Sequence, residues 1–296
     1  MRKAILLISF SLAMVACQSR TDETEPASDG DIAKTINRIA PTLALYDLAS
    51  KSPSSVKLPK EIHEISGLAM SASGKLFANG DERARVYEID IVSGEIAKSF
   101  DVGDKPIRKD FEGIAIAHDT MYMITSDGDL YSFREGGDKE SVTFEVVETG
   151  LKNYDIEGLC FDQPTNSLLI ACKLMPDDKY ERTRAVYSYS IDRATLESAP
   201  RFLISEDTLA AFGGALFRPS SIERHPQSGS FLILASQGSA IIEVAADGRL
   251  LGRVELPKSV HYQPEGIAIA PDGSLLIGNE GASRGTLVRY PRHSAP

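Results

Sequence analysis

Three glutamates stand in nearly the same local string: Asp110-Phe111-Glu112-Gly113-Ile114, Asp155-Ile156-Glu157-Gly158-Leu159 and Gln263-Pro264-Glu265-Gly266-Ile267. Brought to one place, three like charges repel and lose hydration. Such a cluster persists only when it is protonated, paired with Lys or Arg, or neutralised by a cation. Asp110 and Asp155 add carboxylates above the same tier, and Lys173 and Arg218 are the internal counter-charges at equivalent places. The external counter-charge is a hard cation with oxygen ligands, Ca2+ above all. Glu112, Glu157, Glu265, Asp110 and Asp155 are therefore the candidate metal ligands. A structural alternative uses the same residues: each Glu caps backbone amides of a neighbouring unit and holds the assembly together. The Gly that follows each Glu suits both readings, because it lets the chain pack closely.

Other reactive types are less well placed. No HExxH, P-loop or CxxC string occurs, and no nucleophile or catalytic residue is assigned. Thr125-Ser126-Asp127-Gly128-Asp129 looks like a calcium loop but lacks the later bidentate Glu, and reads as a hairpin turn. His63, His261 and Tyr262 precede apolar strands and could reach the acidic end, although a loop histidine is expected to be solvated. His118 and His225 fall in turns at the opposite end and are left out of the site.

The elements that must gather these carboxylates are visible as a repeat. Five segments line up: 64–81, 110–127, 155–173, 218–237 and 263–280, each an apolar strand, a turn rich in Gly, Asp, Asn, Pro or Ser, and a second apolar strand. Third strands follow at 84–90, 129–133, 185–191, 240–245 and 286–290, and fourth strands at 94–102, 141–148, 199–205 and 250–256. The head Gly or Ser of the first strand sits at 67, 113, 158, 221 and 266, spacings of 46, 45, 63 and 45. Four antiparallel strands recurring at that interval are a propeller blade. The long interval holds two insertions, Leu174–Thr183 and Ser205–Phe217, the second read as a short helix plus loop.

The last unit ends at Tyr290 with only three strands. Val56-Lys57-Leu58-Pro59-Lys60 echoes Val254-Glu255-Leu256-Pro257-Lys258, so the segment within Leu43–Leu58 should complete the last blade and close the ring. Closure leaves no exposed edge. The expected fold is all-β: a five-bladed propeller of four-stranded antiparallel blades closed by an N-terminal strand. Six blades would need a unit for which Asp31–Leu58 is too short.

Within such a ring, strand one starts where strand two ends. The residues before the head position are then Ser66, Glu112, Glu157, Ser220 and Glu265, with Glu64, Asp110, Asp155, Arg218 and Gln263 above them. The ends of strand two, Gly80-Asp81, Ser126-Asp127, Cys172-Lys173, Ser236-Gln237 and Asn279-Glu280, ring the same opening.

Composition sets limits on function. The 296 residues are 42% hydrophobic and 25% charged, which is ordinary globular usage. Asp and Glu outnumber Lys and Arg by 42 to 32, so no nucleic acid is expected as a partner. Arg2 and Lys3 precede a 13-residue apolar run, Ala4–Ala16, too short for a bilayer that needs roughly 20 residues. The run ends in Met14-Val15-Ala16-Cys17, which resembles the bacterial lipobox. Residues 1–16 are thus expected to be a lipoprotein signal peptide and Cys17 the lipidated N-terminus. Residues 17–41 would be a flexible tether, because 18–30 contain no large apolar residue, and 42–292 the propeller. The expected address is the cell envelope, lipid-anchored on the periplasmic or surface side of the outer membrane, as a monomer.

Cys160 and Cys172 remain as a disulfide question. Matching their hairpin to its shorter relatives puts Cys172 opposite Glu157 and Cys160 opposite Leu169, on opposite faces of the sheet. Two free, buried thiols are expected.

The series Ser66-Gly67-Leu68, Glu112-Gly113-Ile114, Glu157-Gly158-Leu159, Ser220-Ser221-Ile222, Glu265-Gly266-Ile267 resembles the SdiA-regulated (YjiK-like) bacterial proteins. The closest stretch is SSIERHPQSGSFLILASQGSAIIEVAADGRLLGRVEL (220–256), followed by QPEGIAIAPDGSLLIGNE (263–280). The resemblance covers roughly Leu43–Tyr290 and implies an exported five-bladed propeller with calcium in or near its channel and no established activity. Ser221 departs from the Gly of the other units. A more distant likeness to gluconolactonase-type and phytase-type propellers keeps hydrolysis open. The expected function is a Ca2+-binding, membrane-anchored module for a small-molecule or protein ligand at the propeller mouth. The alternative is a Ca2+-dependent hydrolase of a lactone, ester or phosphate, with Glu112, Glu157 or Glu265 as base.

Overall fold

Each repeated segment folds as an antiparallel hairpin, and the third and fourth strands extend it outward. The structure is a computed structural model, and residues 42–174 and 182–293 are described. The export signal, Cys17 and the tether lie outside the described residues, as does most of the insertion Leu174–Thr183.

Blade 1 runs outward through Ile65–Met70, Leu76–Gly80, Arg85–Ile89 and Ile96–Val102. Blade 2 uses Phe111–Ala117, Thr120–Thr125, Asp129–Phe133 and Phe144–Glu148. Blade 3 uses Ile156–Asp162, Ser167–Cys172 and Thr183–Ser190, whose outer edge pairs with both Thr195–Leu196 and Phe202–Ser205. Blade 4 uses Ser221–Arg224, Phe231–Ala235, Ala240–Val244 and Leu250–Glu255. Blade 5 uses Pro264–Ile269, Leu275–Asn279 and Thr286–Tyr290, and Ser54–Lys57 completes it, antiparallel to Thr286–Tyr290. The five-bladed ring and its N-terminal closure are as expected. One strand is divided differently: within 141–148, Ser141–Val142 pairs parallel with the outer strand of blade 1, and only Phe144–Glu148 belongs to blade 2. The second insertion carries the expected short helix, Glu206–Ala211, N-capped by the Ser205 hydroxyl, which accepts from the Thr208 N–H at 3.1 Å.

Strand periodicity builds the core. In blade 3, Leu168 and Ile170 pack toward Ala115, Ile124 and Leu130 of blade 2, while Leu169 and Ala171 pack toward Ile222 and Ile233 of blade 4. Every blade is apolar on both faces, and five such clusters fill the spaces between adjacent blades. The segment before the closing strand is also fixed. Leu43, Tyr46 and Leu48 are buried in the cluster between blades 4 and 5. The Leu43 N–H donates to Glu243 Oε2 at 3.1 Å, and the Tyr46 hydroxyl donates to the Gly273 carbonyl at 3.0 Å.

At the axis the blades meet through their head residues. A Cβ built on Gly113 would lie 2.9 Å from the Leu159 nitrogen, and one on Gly158 would lie 3.0 Å from the Ser221 Cα. One on Gly67 would lie 2.9 Å from the Ile114 nitrogen. These glycines are therefore required by the approach of neighbouring inner strands rather than by their own backbone angles. Blade 4 carries Ser221 at this place, and there the neighbouring Ser220 hydroxyl donates to the Pro264 carbonyl of blade 5 at 2.7 Å.

The two cysteines are free and buried. Cys160 pairs with Leu169 as expected, but Cys172 pairs with Ile156, not with Glu157. The ladder shifts between Ile156 and Gly158, so Glu157 is an extra residue without a partner. The thiols still point to opposite faces, Cys160 into the core with blade 4 and Cys172 into the core with blade 2.

Candidate functional site

The bulge at Glu157 recurs. The ladder shifts between Ile65 and Gly67, between Phe111 and Gly113, and between Pro264 and Gly266, leaving Ser66, Glu112 and Glu265 as the extra residues. In blade 4 the Ser220 N–H donates to the carbonyl of Leu234, the partner of Ser221. A bulge bends its strand and re-aims one side chain. Here it sits beside the residue where the inner strands touch, which is how rotational symmetry gathers glutamates from three blades. Sequence comparison found the positions; the bulge itself gives no signal in residue type beyond the following Gly.

Glu112 and Glu265 each lie within range of the charge of Glu157. Burial, then the charges of Glu157 and Asp110, push Glu112 from the ordinary 4.5 up to about 10. Burial, then Glu157 and Glu280, push Glu265 up to about 8. Burial raises Glu157 to about 7, held lower than the other two by Lys173. The Lys173 ammonium donates to Glu157 Oε1 and lies 3.8 Å from Asp155 Oδ2. Burial opposes its charge, but Glu157, Asp155 and Glu265 keep it above the ordinary lysine range. Of the two anticipated counter-charges only Lys173 serves. Arg218 forms a backbone bridge with Gln237 and makes no ion pair among the described residues.

A second acidic tier lies alongside. Burial, then Glu64, raises Asp81 to about 6, with Asp110 and Glu280 contributing. Burial and Glu64 raise Glu280 as well. Asp81 was legible as a residue of the opening but not as a member of the ligand set. Two buried oxygens here, Asp81 Oδ1 and Asn79 Oδ1, have no hydrogen-bond partner. Asn79 was not anticipated; its amide donates to the Phe111 carbonyl at 3.0 Å and stitches blade 1 to blade 2.

All five predicted ligands lie at one end of the axis, Asp110 beside Glu112 and Asp155 3.8 Å from the Lys173 ammonium. Glu157 is paired with the Lys173 side chain, and no backbone N–H among the described residues donates to Glu112, Glu157 or Glu265. The capping alternative finds no support among the described residues. Neighbouring carboxyls are eased by a proton or a cation, and Asp81 Oδ1 is an unpartnered oxygen of the same kind. Among the described residues, no three His, Cys, Asp or Glu side chains are closed into a ready-made ligand group. The groups here that could hold a cation are at most two of these carboxylates together with amide, carbonyl and water oxygens.

The histidines divide. His261 is fully buried, not solvated as expected: Nδ1 is 2.9 Å from Asn279 Oδ1 and Nε2 is 2.7 Å from the Tyr290 hydroxyl. It holds blade 5 together. Tyr262 is exposed and His63 lies 3.7 Å from Glu64 at the rim. Gly128 closes the Thr125–Asp129 turn through its N–H to the Thr125 carbonyl at 2.9 Å, as read from the sequence. No helix among the described residues is long and apolar enough to cross a membrane.

No curated protein matches this sequence. Among solved structures, the chain is similar to Myxococcus xanthus glutaminyl cyclase with a TM-score of 0.56 at 13% identity, covering 81% of this chain and 96% of that one. It is similar to a luciferin-regenerating enzyme with a TM-score of 0.51 at 13% identity, covering 82% and 98% of the two chains. Likeness at this identity shows the fold alone. The SdiA-regulated family model matches residues 54–283, which include the inner strands of all five blades and every predicted ligand, and the chain belongs to the SdiA-regulated family.

Proposed function

We propose that this protein is an exported propeller, anchored through a lipidated Cys17 on the periplasmic or surface side of the outer membrane. Its acidic axial mouth binds Ca2+ and serves a small-molecule or protein ligand. The observation that carries the reading is the convergence of Glu112, Glu157 and Glu265 from three blades onto one partly buried locus where Lys173 is the counter-charge. Glu112 with Asp110 would hold the ion from blade 2, and Glu265 from blade 5, with Asp81 and Asn79 as the adjacent oxygen donors. A bound Ca2+ would supply charge neutralisation and an open coordination position for an oxygen of the ligand.

Calcium titration by calorimetry tests this on chelator-treated protein. Wild type should bind, and Glu112→Gln and Glu265→Gln should each weaken binding by tenfold or more, on the order of 1.4 kcal/mol. Unchanged affinity in both variants would remove these ligands.

One observation favours hydrolysis as a second reading. Glu157 is raised to about 7, the range in which a carboxylate serves as a general base near neutral pH. Turnover of a lactone, ester or phosphate that chelator abolishes and Glu157→Gln removes would support it. Without such turnover the binding module stands.

A further inference from the structure

At the opposite end of the axis the inner strands enclose a second space. A cavity of about 480 Å³ is lined by residues from all five inner strands or the turns that follow them. That is within the range of small-molecule pockets, about 300–1,000 Å³. Its apolar walls include Met70, Ile114, Ile116, Phe161 and Ile269. Each of the five inner strands is the last in its sheet, so its outer backbone edge has no strand partner and faces this axis.

One carboxylate in the lining, Glu223, forms no ion pair among the described residues. Glu223 Oε1 accepts only the N–H of its own neighbour Arg224, at 2.9 Å. The Arg224 guanidinium is already committed to Asp162 Oδ1 at 2.9 Å, and Asp162 also accepts from the Thr165 hydroxyl at 2.6 Å. His118 is turned to Asn166, with its Nε2 2.9 Å from Oδ1. The Arg224 Nε–H, though close to Asp162, has no aligned hydrogen-bond acceptor, and burial raises the Glu223 carboxyl to about 8 against the backbone N–H and charge of Arg224, which lower it. A half-buried carboxylate that forms no ion pair is costly, and an incoming cation relieves that cost.

We infer that this cavity is a binding site for a small organic ammonium ion with an apolar body, its cationic head on the Glu223 carboxylate and its body against Met70, Ile114 and Phe161. The site is separate from the acidic mouth. Along the inner strand of blade 2 the two lie on the order of 13 Å apart, four residues at about 3.3 Å each between Glu112 and Ile116.

The test uses 2-phenylethylammonium against its neutral near-isostere 2-phenylethanol, titrated into the purified protein by calorimetry. The amine should bind at least about tenfold more tightly than the alcohol, as a charge-assisted hydrogen bond requires. Glu223→Gln should reduce the amine to the affinity of the alcohol, and Glu112→Gln should leave it unchanged. A readout on wild type guards against misfolding of the variant. In methyl-labelled protein the Met70 methyl resonance should move with the amine, while those of Met121 and Met123, buried between blades 1 and 2, stay in place. Equal binding of amine and alcohol, or an unaltered affinity in Glu223→Gln, would show that Glu223 does not recognise the cation, and a stationary Met70 resonance would show that the amine does not enter this cavity; each result would overturn the proposal.

Discussion

Glu112→Gln should stabilise the metal-free protein, and only at neutral and alkaline pH. The folded chain holds this carboxyl from its ordinary 4.5 up to about 10, chiefly by burial and by the charges of Glu157 and Asp110. Between those values the folded state binds more protons at this site than the unfolded state, so stability falls as pH rises. At pH 7 the unfolded carboxyl is ionised, and about 2.5 pH units at about 1.4 kcal/mol each give a cost near 3 kcal/mol. Solvent screening at the open end of the axis reduces this to about 1–2 kcal/mol. In a domain of this size 1 kcal/mol moves Tm by roughly 2–4 °C. Calorimetric melting of chelator-treated protein should therefore show Glu112→Gln about 3–6 °C above wild type at pH 8, and level with it at pH 4. Added Ca2+ should raise the wild-type Tm at pH 8 and leave the variant nearly unmoved. A variant that melts lower than wild type at both pH values would refute the reasoning, since the carboxylate would then be a net stabilising partner and not an uncompensated charge.

Lys173→Met removes the cation that faces Glu157, Asp155 and Glu265. It should lower the metal-free Tm at pH 8 by several degrees, at about 1–3 kcal/mol, while tightening Ca2+ affinity in calorimetry, because a divalent ion no longer competes with the ammonium. Gly158→Ala places a Cβ 3.0 Å from the Ser221 backbone, where neither strand can yield, and should cost about 1–3 kcal/mol in denaturant melts. The thiols of Cys160 and Cys172 are buried, and burial holds both well above the ordinary cysteine range. They should be silent to a thiol reagent in the native protein and react together once it is unfolded.

Much of this architecture was legible because a propeller writes each structural decision five times. The apolar run of Ser167–Cys172 repeats in Leu275–Asn279, and the echo of Val254–Lys258 in Val56–Lys60 located the closing strand. What repetition cannot report is local. The bulge at Glu157 moved Cys172 to Ile156 because one extra residue changes register without changing composition. Ser141–Val142 left blade 2 for blade 1 because a two-residue edge pairing is decided by tertiary proximity. Likewise, the burial of His261 depends on Asn279 and Tyr290, 18 and 29 residues away, which a reading of its own loop does not consult. The acidic end was recognisable from Glu-Gly spacing, whereas the role of Asp81 and Asn79 emerges only from which buried oxygens lack partners.

The central claim, that carboxylates of separate blades share one cation at the axis, is tested most directly by anomalous diffraction from crystals grown with Ca2+ and then exchanged into Tb3+. The account predicts one strong anomalous peak within coordination distance, about 2.3–2.6 Å, of a carboxylate oxygen of Glu112 or Glu265. A fully ordered mouth with no peak there, and with Glu112 turned away from Glu157 and Glu265, would contradict it.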